Sequence, residues 1–143
     1  MKRHPSLIPL SREHHEALLL AQLLKKDAPN YKGLPKDFED KKHYAFQFFQ
    51  QKLAAHFTTE ERIFEELATI NETIKILTCG LIAEHEQLKT SFLLCNQPNF
   101  SEDAMHNLGT LLYQHIRKEE RVLFQLVQMH AGEDVFQKIE KLY

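Results

Sequence analysis

The sequence predicts an all-α protein: an up-down-up-down antiparallel four-helix bundle with a short C-terminal helix. Four long segments place apolar residues at three- and four-residue steps, the period of one helix face. The breaks between these segments are short, so neighbouring helices are expected to run antiparallel. Only 4 Gly and 5 Pro occur in the chain, too few for a strand-rich fold with many turns. The 143 residues suit one domain spanning 1–143.

The first predicted helix runs from about Leu10 to Lys26 and ends at the sequence DAPN (27–30). Ser6 or Ser11 is the expected N-terminal cap.

The second predicted helix runs from about Lys36 to Ala68, because one apolar stripe continues through the whole segment. Two polar residues lie within that stripe. Its members are Phe46, Phe49, Leu53, His56, Glu60, Ile63, Phe64 and Leu67.

The third predicted helix opens at Thr69-Ile-Asn-Glu72, a spacing typical of a capping box, and runs to about Leu94. The fourth runs from Ser101 to about His130.

Beyond the fourth helix, Gly132 is expected to stop the chain from continuing as a helix. A short amphipathic segment, 133–142, is expected to pack on the outside of the bundle.

Composition excludes several classes of function. The formal charge is -2, which predicts no basic surface for nucleic acid. No apolar run approaches the ~20 residues that cross a bilayer. The start of the chain lacks the apolar region and cleavage site of a secretory signal. Cys79 and Cys95 fit neither a zinc motif nor a disulfide framework, and both are expected to be reduced. We therefore expect a cytoplasmic protein.

One motif occurs twice. Residues 56–64 read HFTTEERIF and residues 115–124 read HIRKEERVLF. In each copy a His precedes a Glu by four residues, so both side chains project from one helix face, one turn apart. That face is the apolar one in both helices. The residues concerned are His56, Glu60, His115 and Glu119.

The other two helices contain a weaker matching pair. Glu-His occurs at 13–14 and at 84–85, each time three residues after a Leu. His85 lies on the apolar stripe of its helix. Each of the four helices is thus predicted to direct at least one imidazole inward.

Helix one leaves two candidates open. The apolar stripe and the Leu-x-x-Glu-His match favour His14, whereas the His-Glu-x-Leu match with 85–88 favours His15. We favour His14 as the metal ligand, with His15 as a supporting donor or a gate near the site.

Acids and imidazoles in an apolar interior need a shared counter-charge. An ionised Glu is almost never fully buried without a partner, and an unpaired buried carboxylate is destabilising. A pair of metal ions would supply that charge. Imidazole and carboxylate suit iron, and no thiolate is placed to select zinc or copper(I).

Each of these residues also has a purely structural explanation. A single inward His is commonly a hydrogen-bonded core residue, and each Glu-Glu pair can be solvated beside the Arg that follows it. Two copies of one motif on the same relative face favour the metal interpretation.

The motifs together resemble a haemerythrin-like, HHE cation-binding domain. The matching segments cover all four helices: SREHHEAL (11–18), HFTTEERIF (56–64), AEHEQL (83–88) and HIRKEERVLF (115–124). The resemblance implies two iron ions in an oxo- or hydroxo-bridged centre. It also implies that Glu60 and Glu119 bridge the ions, with His14 and His56 on one ion and His85 and His115 on the other.

The sequence departs from the oxygen-carrying members of that family. Those have two histidines one turn apart on the third helix, but the positions one turn from His85 are Leu81 and Lys89. They also place an Asp five residues after the fourth-helix His, where this chain has Glu119 four residues after His115. Both departures match the broader bacterial branch. They argue against reversible oxygen carriage, because fewer protein ligands leave more positions for reactive small molecules.

The leading hypothesis is a di-iron protein that binds or senses dioxygen, nitric oxide or iron itself. The alternative is a di-iron enzyme that reduces peroxide or nitric oxide, or supports repair of damaged iron centres. A third hypothesis is a metal-free bundle that binds protein partners. The sequence shows no dedicated acid or base for a larger substrate, which favours a binding or sensing role.

Overall fold

The structure is a computed structural model that describes residues 2–143. It confirms the predicted all-α class, with no strand among these residues. A short 3-10 turn, Pro5–Leu7, precedes the first helix. The α-helices are α1 (Ile8–Leu23), α2 (Phe38–Phe48), α3 (Ala54–Leu67), α4 (Glu72–Leu94), α5 (Glu102–Lys118), α6 (Phe124–His130) and α7 (Glu133–Glu140).

Two π-helical segments interrupt the long helices. Phe49–Leu53 joins α2 to α3, and Glu119–Leu123 joins α5 to α6. The second and fourth predicted helices are therefore each continuous, but each contains five residues of wider helical turn. Such segments often occur at functional sites, and the second one begins at Glu119.

Side chains cap the N-termini of α4 and α5. Asn71 accepts a hydrogen bond from the Ile74 amide and Ser101 accepts one from the Ala104 amide. The capping residue of α4 is thus Asn71, and the prediction of Thr69 was wrong. Thr69 instead donates its hydroxyl to the Glu66 carbonyl.

The predicted caps of α1 were also wrong. The helix begins at Ile8, and its N-cap residue, Leu7, makes no side-chain hydrogen bond. Ser6 lies in the preceding turn against His4. Ser11 lies inside α1 and donates its hydroxyl to Glu120, in the π-helical segment between α5 and α6.

The long helices pack around a common interior: α1 against α5 and α3, and α4 against α3 and α5. The backbones of α1 and α5 approach each other closely at Gly109. A Cβ atom there would lie 2.7 Å from the Ala21 carbonyl oxygen. Any larger side chain would push the two helices apart.

Two apolar clusters make up the core. One includes Leu20, Phe57 and Phe92, and the other includes Leu10 and Phe64. The inward-facing histidines and glutamates occur between these sets of residues along the helices, so apolar side chains flank them on both sides.

The last helix covers one end of the bundle. Phe136 and Ile139 of α7 are buried in the second cluster, next to α3 and the N-terminal turn. Across residues 2–143, no helix combines the length and apolar character needed to cross a bilayer.

Candidate metal centre

Six of the seven candidate residues meet in the protein interior. Every one of them is at most 4% exposed, a low value for ionisable side chains. They are His14, His56, Glu60, His85, His115 and Glu119.

The seventh candidate, His15, does not join them. It lies on the exposed side of α1, because consecutive helical residues are rotated by about 100° from each other. The structure therefore brings His14, and not His15, to the other five residues, and the ligand role of His14 stays a prediction.

The six side chains form two groups with a shared member. His14, His56 and Glu60 have ligand-type atoms within 4.8 Å of one another, and so do Glu60, His85, His115 and Glu119. This division matches the pairing of histidines that the family resemblance implies. Glu60 belongs to both groups, as a bridging carboxylate would.

The Glu60 carboxylate lies among three imidazoles. Its Oε2 atom is 3.0 Å from His14 Nε2 and 3.1 Å from His56 Nε2. Its Oε1 atom is 3.1 Å from His85 Nε2. One carboxylate thus faces histidines from both groups.

The Glu119 carboxylate lies between two imidazoles, one from each group. Its Oε1 atom lies 2.6 Å from His115 Nε2, and its Oε2 atom lies 3.1 Å from His14 Nε2. All four histidines therefore direct Nε2 towards the two inner carboxylates and keep Nδ1 on the outside.

A second ring of carboxylates faces the Nδ1 atoms. Glu13 lies 2.5 Å from Nδ1 of His56, and Glu84 lies 2.8 Å from Nδ1 of His115. Two further contacts are longer, at 3.5 and 3.6 Å; they join Glu61 to His85 and Glu120 to His14. A carboxylate behind a metal-binding imidazole fixes its tautomer and orientation.

The outer ring links the four helices in a closed circle. Each outer Glu is the sequence neighbour of an inner residue, but it faces a histidine on a different helix. The motifs in the sequence did not predict this role for the four outer Glu residues. The available indication was a Glu directly next to one inner residue on each of the four long helices: Glu13, Glu61, Glu84 and Glu120.

Phenylalanine rings pack against the imidazoles. Phe57 stacks on His85 with ring centroids 4.0 Å apart, and Phe64 lies 6.0 Å from the same imidazole. Phe124 stacks 6.0 Å from His14. These rings limit the access of bulk water and restrict the orientations of the histidines.

The imidazoles have altered acidity. Burial alone would lower the pKa of His115, but the carboxylates of Glu119 and Glu84 outweigh it and raise this pKa to about 10. Burial also disfavours the charged form of His56, but Glu60 and Glu13 stabilise that form and raise the pKa of His56 to about 9.

The same balance acts on His14 and Glu60. Despite burial, Glu119 raises the pKa of His14 well above its ordinary value. Burial would raise the pKa of Glu60, but His56 and the neighbouring hydrogen-bonding groups hold it well below the ordinary range. Without a metal, the interior is stabilised by imidazolium–carboxylate pairs.

The geometry of these pairs fits a cation better than protons. Nε2 of His56, Nε2 of His115 and both Glu119 oxygens are buried and make no hydrogen bond to any described residue. Yet His115 Nε2 lies 2.6 Å from a Glu119 oxygen. Such atoms approach closely without hydrogen-bond alignment, which is expected of donors arranged around a common ion.

The donor set is nitrogen and oxygen only. Cys79 is exposed, Cys95 is buried, and neither belongs to the two groups. The two positions one turn from His85 add no ligand either, because Leu81 is apolar and Lys89 pairs with Glu86. Imidazole and carboxylate ligands suit iron and other first-row metals.

Comparison with known proteins gives one family. The chain matches the family described as the hemerythrin HHE cation binding domain over residues 7–127. No curated protein and no solved structure matches the chain. The matched range includes all six buried residues of the centre, so the chain belongs to the hemerythrin HHE cation-binding family.

Proposed function

We propose that this protein holds two iron ions and uses them to bind or sense a small diatomic molecule, dioxygen or nitric oxide. Glu60 and Glu119 would bridge the ions in an oxo- or hydroxo-bridged centre. The observation that carries the proposal is the pair of ligand groups joined at Glu60. A single shared carboxylate between two sets of imidazoles is the arrangement that two neighbouring ions need.

The positions of the motifs in the fold support this arrangement. The two His-x-x-x-Glu motifs lie on α3 and on the α5–α6 segment, and the two Glu-His pairs lie on α1 and α4. We propose that these four helices run up, down, up and down. The sites of other helix-bundle metal proteins are likewise built from side chains of facing helices.

The protein's own residues would hold and orient the ions. Four imidazoles and two carboxylates supply fewer donor atoms than two octahedral ions take up, so ligand positions remain. Bound iron would supply redox-active cations with free positions for a small ligand. The Phe57, Phe64 and Phe124 rings would admit a neutral diatomic more readily than a charged or bulky molecule.

The proposal is tested by loading metal-free protein with ferrous iron in the absence of oxygen and then adding nitric oxide or air. The wild type should take up two irons per chain, and its absorption spectrum should change when either gas is added. His14→Ala should lose iron and the spectral change. His15→Ala is the matched control, one residue away and exposed, and should retain both.

Uptake of fewer than about one and a half irons per chain by the wild type, where a bridged pair needs two, would contradict the proposal. Full uptake with no response to either gas would limit the function to metal binding.

A further inference from the structure

The four outer carboxylates differ in how firmly they are held. The Glu84 side chain is 20% exposed and forms an ion pair with Lys118. The Glu120 side chain is 16% exposed and contacts both Arg3 at 3.3 Å and the Ser11 hydroxyl at 2.9 Å. These two outer groups are fixed by partners beyond the imidazoles.

Among the described residues, Glu13 has no such additional partner and is the most exposed of the four. Its side chain is 55% exposed, against 29% for Glu61. Within residues 2–143 no Lys or Arg lies within ion-pair distance of Glu13, and its contact is the one with His56. Exposed side chains change rotamer within picoseconds to nanoseconds, and Glu13 is the most exposed of the four outer carboxylates.

A cleft opens at this point of the surface. It has a volume of about 470 Å³ and lies beside α1 and α3. Its walls include Glu13, Phe48, Ala55 and His56. Of the six buried residues in the centre, His56 alone lines it, so the cleft reaches the His14–His56 group and not the His85–His115 group.

At the outer part of the cleft, two lining residues form an exposed ion pair. Lys52 pairs with Glu16 at 2.8 Å, and both side chains are more than half exposed. Exposed ion pairs of this kind contribute about 0–1 kcal/mol and open readily. Beside His115, the Lys118–Glu84 pair is less exposed than the Lys52–Glu16 pair.

From these differences we propose that the two halves of the centre exchange their metal ions at different rates. The cleft beside α1 and α3 is the route by which metal ions enter and leave, and Glu13 is the side chain that moves to open it. The ion served by His14 and His56 exchanges first, while the ion served by His85 and His115 is retained. This inference rests on the proposed two-iron centre and adds its route of exchange.

The test follows iron release from the loaded, reduced protein after addition of a ferrous chelator, by the absorbance of the chelate. We expect two phases of one iron per chain each. The fast phase should exceed the slow one by about tenfold, since one hydrogen bond of ~1.4 kcal/mol changes a rate by that factor. The readout is metal release and needs no activity.

Two matched pairs of variants identify the route. Ala55→Trp fills the cleft from an exposed helical position and should slow the fast phase alone. Asn107→Trp is its control, also exposed but in a separate cleft lined by no residue of the centre, and should change neither phase. Glu13→Ala should accelerate the fast phase, whereas Glu84→Ala should accelerate the slow phase.

The outcomes separate this inference from the proposed function. A protein that binds two irons but releases them in a single phase, or whose fast phase is unchanged in Ala55→Trp, overturns the exchange route and leaves the two-iron centre intact. A protein that never binds two irons overturns both.

Discussion

Glu60→Gln should reduce the iron capacity of the protein from two ions per chain to less than one. Glu60 has the one carboxylate that belongs to both ligand groups, with oxygens within 3.1 Å of three imidazoles. The amide keeps the shape of the side chain but removes the charge and the second anionic oxygen. The bridge through Glu60 is then lost, and each ion loses charge compensation. Iron per chain after anaerobic loading and gel filtration measures the effect.

Glu65→Gln is the control for this substitution. Glu65 lies on the same helix but is exposed, so its amide variant should bind iron as the wild type does. Unfolding of both metal-free variants shows whether the fold is retained, because breaking a buried ion pair can cost about 3–5 kcal/mol. A folded Glu60→Gln protein with two bound irons would contradict a bridging role.

Raising the pH from about 6.5 to about 10 should destabilise the metal-free protein. The pKa values of His56 and His115 are raised to about 9 and about 10, and that of His14 is raised as well. A raised histidine pKa contributes stability in full below its unfolded value and loses it as the pH rises through the folded value. The slope reaches ~1.4 kcal/mol per pH unit for each imidazole. Thermal unfolding of the metal-free protein across this range measures it.

The affinity for metal should have the opposite pH dependence to the stability of the metal-free protein. Iron takes the neutral imidazole, so loading at pH 7 must displace the protons that His56 and His115 hold, and affinity should rise with pH. A pH-stat titration should record the release of at least two protons per chain. Metal-free protein that becomes more stable between pH 7 and 9, or binding that releases no protons, would disagree with the pairing described for the interior.

Acid should destabilise the metal-free protein by protonating Glu60. Its pKa is lowered in the folded protein, so its contribution to stability is present above the ordinary value of 4.5 and is lost as the pH falls through the lowered value. The metal-free protein should therefore be most stable in mildly acidic solution, between the ranges in which Glu60 and the imidazoles lose their charges.

The inner residues were predictable because local helix geometry determines which of them share a face. His56 and Glu60 are four residues apart within α3, which is regular from Ala54 to Leu67, so their spacing alone placed them together. The same reasoning favoured His14 over His15. The extent of the domain and the identity of the metal stay predictions.

The outer ring was not predictable, because it depends on how the helices pack. Glu13 and Glu16 look alike in the sequence, yet Glu13 contacts His56 and Glu16 contacts Lys52. The π-helical segments were missed for a similar reason. The wider helical turn leaves the apolar stripe of Phe49–Leu53 intact, so the sequence pattern does not reveal it. Tertiary packing determines where such a turn forms.

The central claim is that Glu60 and Glu119 share two metal ions with the four buried histidines. Anomalous diffraction from iron-loaded crystals, recorded on both sides of the iron absorption edge, tests it most directly. The claim predicts two iron peaks about 3.5–4 Å apart, each next to two imidazole Nε2 atoms and both in contact with the two carboxylates. A single peak, or iron bound away from Glu60 and Glu119, would contradict it.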